Sequence, residues 1–93
     1  MESLEITYRG NDLRVDVDNP PVASLHINNI QRAEQSSSES VCRFKLSSSV
    51  QTDYEWHEFV EADVSFDAER IKIILTANNA VIAEQDFPAL SRA

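Results

Sequence analysis

Apolar and polar residues alternate with period two along most of the chain. Leu4, Ile6 and Tyr8 alternate with Glu5, Thr7 and Arg9, and Leu13, Val15 and Val17 with Arg14, Asp16 and Asp18. Successive side chains of an extended chain point to opposite faces, so each run reads as a half-buried strand. Gly10-Asn11 lies between the two runs. Glycine takes positive φ without steric cost, and at the first central position it suits a two-residue type II′ turn. The expected register sets Leu4 opposite Val17, Ile6 opposite Val15 and Tyr8 opposite Leu13, with Arg9 meeting Asp12.

Asn19-Pro20-Pro21 ends the second strand, because proline has no N–H to give a ladder. A second hairpin follows, with strands over Ala23–Ile27 and Ile30–Ala33 and a turn at Asn28-Asn29. Asparagine is the residue that best tolerates positive φ after glycine, so Asn-Asn is a weaker relative of Asn-Gly. Ser36–Ser40 reads as a flexible connector too short to separate domains. Val41–Leu46 resumes extended structure, with Cys42, Phe44 and Leu46 on one face, and Ser47-Ser48-Ser49 is expected to interrupt it.

Thr52–Phe66 supports two readings. As one strand, Tyr54, Trp56, Val60, Ala62, Val64 and Phe66 share a parity, with Glu58 as the misfit and a bulge expected near it. As a helix near residues 53–63, Trp56, Phe59, Val60, Asp63 and Val64 form a stripe behind a Thr52–Glu55 capping box. The aromatic and β-branched content favours the strand. Arg70–Thr76 and Val81–Phe87 form the last hairpin. A three-residue loop, Asn78-Asn79-Ala80, pairs Leu75 with Ala83, Ile73 with Gln85 and Ile71 with Phe87, and sets Lys72 across from Asp86. A slip of one residue would exchange the faces, so the apolar pattern selects that register over a two-residue turn.

The expected fold is therefore all-β, an antiparallel β-sandwich of about eight short strands built from hairpins. The alternative is an α+β fold with one helix near residues 53–63. The expectation is a single compact domain over residues 1–93, with 88–93 a frayed tail. The hairpins read as alike in pattern only, with no long internal repeat.

Composition narrows the function. With 16 acids against 8 bases the net charge is -8, which disfavours nucleic-acid backbones and anionic membranes as partners. One cysteine excludes an intramolecular disulfide and suits a reduced compartment, so a soluble cytoplasmic protein is expected. The N-terminal residues show no basic region followed by an apolar one, and the longest apolar run is Ile73-Ile74-Leu75. The charge is concentrated: Asp53, Glu55, Glu58, Glu61, Asp63, Asp67 and Glu69 carry -7 of the -8 without an intervening base.

On a strand, Glu55, His57, Glu61 and Asp63 share one face with Phe59. That face is the candidate interaction surface: an aromatic among charges resembles an interface anchor with a polar rim, suited to a basic protein partner. His57 would be a pH-sensitive contact there or an ordinary surface histidine. The favoured reading is a small non-catalytic protein-interaction module, with homodimerisation through an edge strand as a variant. The alternative is a small-molecule-binding or enzymatic domain with a pocket between sheets near Trp56, His57 and Cys42. No cofactor is expected. No metal is expected either: His26, His57 and Cys42 lack ligand spacing, and Asp12, Asp16 and Asp18 lack the glycine and bidentate glutamate of a calcium loop. One glycine builds neither a nucleophile elbow nor a phosphate loop.

Overall fold

The period-two pattern becomes eight strands: β1 (Glu2–Tyr8), β2 (Asn11–Asp18), β3 (Val22–Ile27), β4 (Ile30–Ser36), β5 (Cys42–Asp53), β6 (Trp56–Phe66), β7 (Arg70–Ala77) and β8 (Ala80–Pro88). A computed structural model describes residues 2–18, 21–53 and 56–88, with side chains described for all of these except 51–53 and 56. The strands form two antiparallel sheets in chain order, β1-β2-β3-β4 and β5-β6-β7-β8. Their apolar faces meet in one core, as in a β-sandwich: Leu4, Leu13, Val15, Val17, Ala23, Leu25 and Ile27 from the first sheet, Phe44 through Leu75 from the second. Leu13, Leu25, Ile73 and Leu75 have no exposed surface. Each such side chain stabilises the fold by about 1.5–3 kcal/mol relative to exposure. Phe44 and Phe66 meet edge to face, with ring centroids 5.5 Å apart. β1 lies against β8 along one flank of the sandwich and β4 against β5 along the other.

The helix alternative near 53–63 is overturned. Residues 56–66 pair with β5 on one side and β7 on the other, and Val60, Ala62, Val64 and Phe66 all enter the core. The single strand expected over Thr52–Phe66 is corrected too, because β5 ends at Asp53 and β6 begins at Trp56. Nor do the serines interrupt β5: Ser47, Ser48 and Ser49 pair with Glu61, Val60 and Phe59. Neighbouring strands outweigh the weak strand preference of serine. The bulge lies on β5, where the register shifts between Gln51 and Asp53, and not at Glu58. Residues 89–93, most of the expected tail, lie outside the described residues, while Pro88 is the last residue of β8.

The first hairpin turns at Arg9-Gly10, one residue earlier than expected. Both residues have positive φ, 49° and 81°, as a type I′ turn requires, so Gly10 takes the second central position. Leu4 therefore faces Val15 and Ile6 faces Leu13. The register differs by two residues, which leaves every side chain on its expected face. Asn28 helps hold this end: its backbone N–H donates to the Asp12 carbonyl at 2.8 Å, its Oδ1 accepts from the Asp12 N–H at 2.9 Å, and its Nδ2 donates to Asn11 Oδ1 at 3.0 Å.

The last hairpin has the expected register by an unexpected route. Asn78-Asn79 is a two-residue turn, with φ 50° and 69°, and Ala77 faces Ala80. A bulge then leaves Ile82 unpaired, so Leu75 faces Ala83, Ile73 faces Gln85 and Ile71 faces Phe87. The extra residue sits in the strand and not in the loop. β3–β4 uses the same device, with an Asn28-Asn29 turn and Arg32 as the bulged residue.

These two hairpins are copies of one plan. Leu25, Asn28, Asn29, Ala33, Glu34 and Gln35 recur fifty positions later as Leu75, Asn78, Asn79, Ala83, Glu84 and Gln85. Asn78 also repeats the Asn28 clamp: its N–H donates to the Phe59 carbonyl at 2.8 Å and its Oδ1 accepts from the Phe59 N–H at 3.0 Å. These two hairpins are thus alike in residues as well as in pattern, which corrects the expectation of likeness in pattern only. The identities number only six, one in the core at Leu25/Leu75 and the rest at the turn and on the edge strand, whereas the other core positions interchange Val, Leu, Ile and Ala freely. Because both asparagines combine positive φ with the same two-bond clamp, Asn28→Ala and Asn78→Ala should each lower stability by about 1–2 kcal/mol in urea unfolding. Costs differing by more than about 1 kcal/mol would show that the clamps are not energetically equivalent.

Candidate functional site

β6 runs through the middle of the second sheet, and its alternation sorts the acidic segment into different environments. His57, Phe59, Glu61 and Asp63 occupy the outer face, while Glu58 turns inward and is buried. Glu55 lies outside the described residues, and Asp67 and Glu69 fall in the exposed connection to β7. The charge run is therefore not one acidic face. Flanking strands offset it: Asp63 faces Lys45 and lies 3.7 Å from Arg43 Nε, which also donates to Ser65 Oγ at 3.3 Å. Across the outer face the charges form stripes, basic on β5 (Arg43, Lys45), acidic on β6 (Glu61, Asp63), basic on β7 (Arg70, Lys72) and acidic on β8 (Glu84, Asp86). The ion pairs Lys72 Nζ–Glu84 Oε2 at 3.2 Å and Arg70 Nη1–Asp86 Oδ2 at 3.6 Å join the last two stripes. Such cross-strand pairs contribute about 0.2–1 kcal/mol each, so the stripes govern strand neighbours more than stability.

Phe59 stands apart from this compensation. Its side chain is 47% exposed, and its backbone is fixed through both N–H and carbonyl by Asn78. In the first sheet the clamped residue is Asp12, an exposed polar residue that accepts from Thr7 Oγ1 at 3.2 Å. One scaffold position thus carries a solvated carboxylate in one sheet and an exposed aromatic in the other.

Glu58, the misfit of the strand pattern, is an inter-sheet clasp. Its side chain is 4% exposed; Tyr8 donates its hydroxyl to Oε1 at 2.6 Å, and Arg9 Nε lies 3.4 Å from Oε2. Arg9 also stacks over the Tyr8 ring, 5.7 Å from its centroid. A buried carboxylate is tolerated only when paired and hydrogen-bonded, and here the partners come from the β1–β2 turn of the opposite sheet. The hydrogen bond to Glu58 holds the Tyr8 hydroxyl above its ordinary pKa of 10.0, with desolvation and the Glu58 charge adding to it and Arg9 opposing. No sequence signal beyond the broken parity at 58 points to this cluster.

A second cluster lies on the outer face of the first sheet. Asp16 receives Ser3 Oγ at 2.6 Å and Arg14 Nε at 3.2 Å, and His26 Nε2 lies 3.4 Å from its Oδ2 and 3.1 Å from Ser24 Oγ. Serine, histidine and aspartate meet, but both contacts of the imidazole use the same nitrogen. A proton relay needs one ring nitrogen on the acid and the other on the hydroxyl. The geometry therefore locks polar side chains on a sheet face and does not activate Ser24.

Of the residues anticipated for a pocket, the Trp56 side chain lies outside those described, and Cys42 and His57 are not brought together. Cys42 pairs with Phe66 at one end of β6, half-buried, and exposed His57 pairs with Gln51 at the other, about 30 Å away along the strand. An open cavity of about 270 Å³ is lined by Glu69, Arg70, Asp86, Phe87 and Pro88, and contains neither residue. Among the described residues no three His, Cys, Asp or Glu side chains are grouped to hold a metal ion, and no helix is long and apolar enough to cross a membrane.

Protonated Tyr8 is the form that donates to Glu58, so its contribution to stability is complete below pH 10 and is lost as pH rises through the higher folded-state value. In an alkaline absorbance titration one tyrosine should ionise late, and Glu58→Ala should bring it back towards its ordinary range while costing about 1–3 kcal/mol of stability. The chain matches no protein-family model, no curated protein and no solved structure.

Proposed function

We propose that this chain is a non-catalytic protein-interaction module whose contact surface is the outer face of β6, with Phe59 as anchor and His57, Glu61 and Asp63 as its polar rim. The observation that carries this reading is the contrast between equivalent clamped positions, exposed Phe59 in one sheet and Asp12 in the other. A scaffold that is stable with a carboxylate at this point gains nothing for its core from an aromatic held in solvent, whereas a rigid, half-exposed aromatic loses little entropy when a partner covers it. Glu61 has no ion-pair partner among the described residues and adds a carboxylate within reach of a partner's base. Charge complementarity of this kind raises encounter rate and selectivity more than affinity. The partner that fits is a protein with an apolar recess beside a basic residue. Pocket chemistry receives no comparable support, since Glu58 is consumed by the clasp and Cys42 and His57 lie far apart.

Capture of partner proteins on the immobilised chain tests this reading. Phe59→Ala should abolish capture while changing stability by no more than about 0.5 kcal/mol, as expected of an exposed side chain. Glu61→Lys should weaken capture by slowing association. Unchanged capture with both variants would overturn the proposal.

A further inference from the structure

The charge stripes of the second sheet end unfinished at both edges. Basic β5 has an acidic neighbour on one side only, and acidic β8 has a basic neighbour on one side only. Two successive rows cross the sheet, Arg43–Ser65–Lys72–Asp86 and Lys45–Asp63–Ile74–Glu84. Each row starts with a base on one edge and ends with an acid on the other. In a four-strand antiparallel meander the first and last strands run in opposite directions. A translated copy therefore places its β5 antiparallel to β8, with Arg43 level with Asp86 and Lys45 level with Glu84. Two inner positions match in kind, since the same translation puts Cys42 beside Phe87 and Leu46 beside Ala83, while Phe44 between them falls beside Gln85.

We propose that the occupant of the β8 edge is a second copy of this chain, joined head to tail through β5 so that the second sheet and its stripes continue from molecule to molecule. The β1/β8 flank has the charge for this contact: those two strands hold Glu2, Glu5, Glu84 and Asp86 and no base, whereas β4 and β5 hold Arg32, Arg43 and Lys45 against Glu34 and Asp53. No backbone hydrogen bond joins β8 to β1 among the described residues. Symmetric pairing of β8 with another β8 would set acids against acids, so the arrangement is heterologous and open-ended and does not close as a dimer. In the first sheet the same translation brings Ser3 and Glu5 level with Glu34 and Gln31, which apposes no two like charges directly. One side chain opposes assembly: Gln35 Nε2 donates to the Lys45 carbonyl at 3.2 Å, occupying an acceptor that β8 would use. Gln35 acts as an edge guard that keeps the association weak and reversible.

Sedimentation of the full chain over a range of concentrations, at about 0.15 M salt where the screening length is about 8 Å, tests the proposal. The expected result is average mass rising continuously past that of a dimer, with Gln35→Ala shifting the rise to lower concentration by about ten-fold. Glu84→Lys/Asp86→Lys and Arg43→Glu/Lys45→Glu, each folded by circular dichroism, should remain monomeric alone and associate when mixed, because every edge contact in the mixture again pairs acid with base. The milder Glu84→Gln/Asp86→Asn should weaken association about ten-fold if the reversed variants do not fold. Phe59→Ala should leave association unchanged, which separates this contact from the β6 surface. A species that stops at dimer, a monomer at all concentrations, or reversed variants that associate alone would each overturn it.

Discussion

Neither four-strand sheet can exist alone, and this constraint organises the molecule. Each carries a continuous apolar face and a polar one, and each apolar face has only the other sheet to cover it. The core is built almost wholly from Val, Leu, Ile, Ala and Phe at alternate positions, so a one-residue slip in any strand would exchange a buried side chain for a solvated one. That stringency explains why the hairpins tolerate a two-residue change of register at Arg9-Gly10 and a bulge at Ile82 but keep their faces. Glu58 is the exception on the inner face, made tolerable by Tyr8 and Arg9 reaching across from the other sheet.

The duplication shows how little sequence such a plan needs. An Asn-Asn turn, a bulge three residues on and an Ala-Glu-Gln strand define both hairpins, and one asparagine in each ties its turn to the strand beyond. With the scaffold repeated, differences between equivalent positions become informative. Asp12 and Phe59 share a clamp but not a chemistry, which separates what the fold requires from what it merely permits.

Charge is handled by position and not by segment. The acidic run that dominates the sequence is split by strand alternation into a buried clasp, two outer-face carboxylates and loop residues, and β5 bases offset Asp63 but not Glu61. The β1/β8 flank carries acids and no base on its own two strands, which the sequence disperses between its two ends. Folding brings those ends together, and with them a surface that has no counterpart in any contiguous stretch.

Fold class, the number of strands and nearly every buried position were legible in the sequence, because burial on a sheet depends on parity and parity is local. So was the shared face of His57, Phe59, Glu61 and Asp63, for the same reason. The Ser47–Ser49 stretch misled because its strand character comes from the ladder with β6 and not from serine. The Tyr8–Glu58–Arg9 clasp, the Asp16–His26 network, the offset of Asp63 by β5 bases and the acidic flank were decided only by the tertiary structure. Each depends on distances between residues far apart in the chain, which period and composition do not carry.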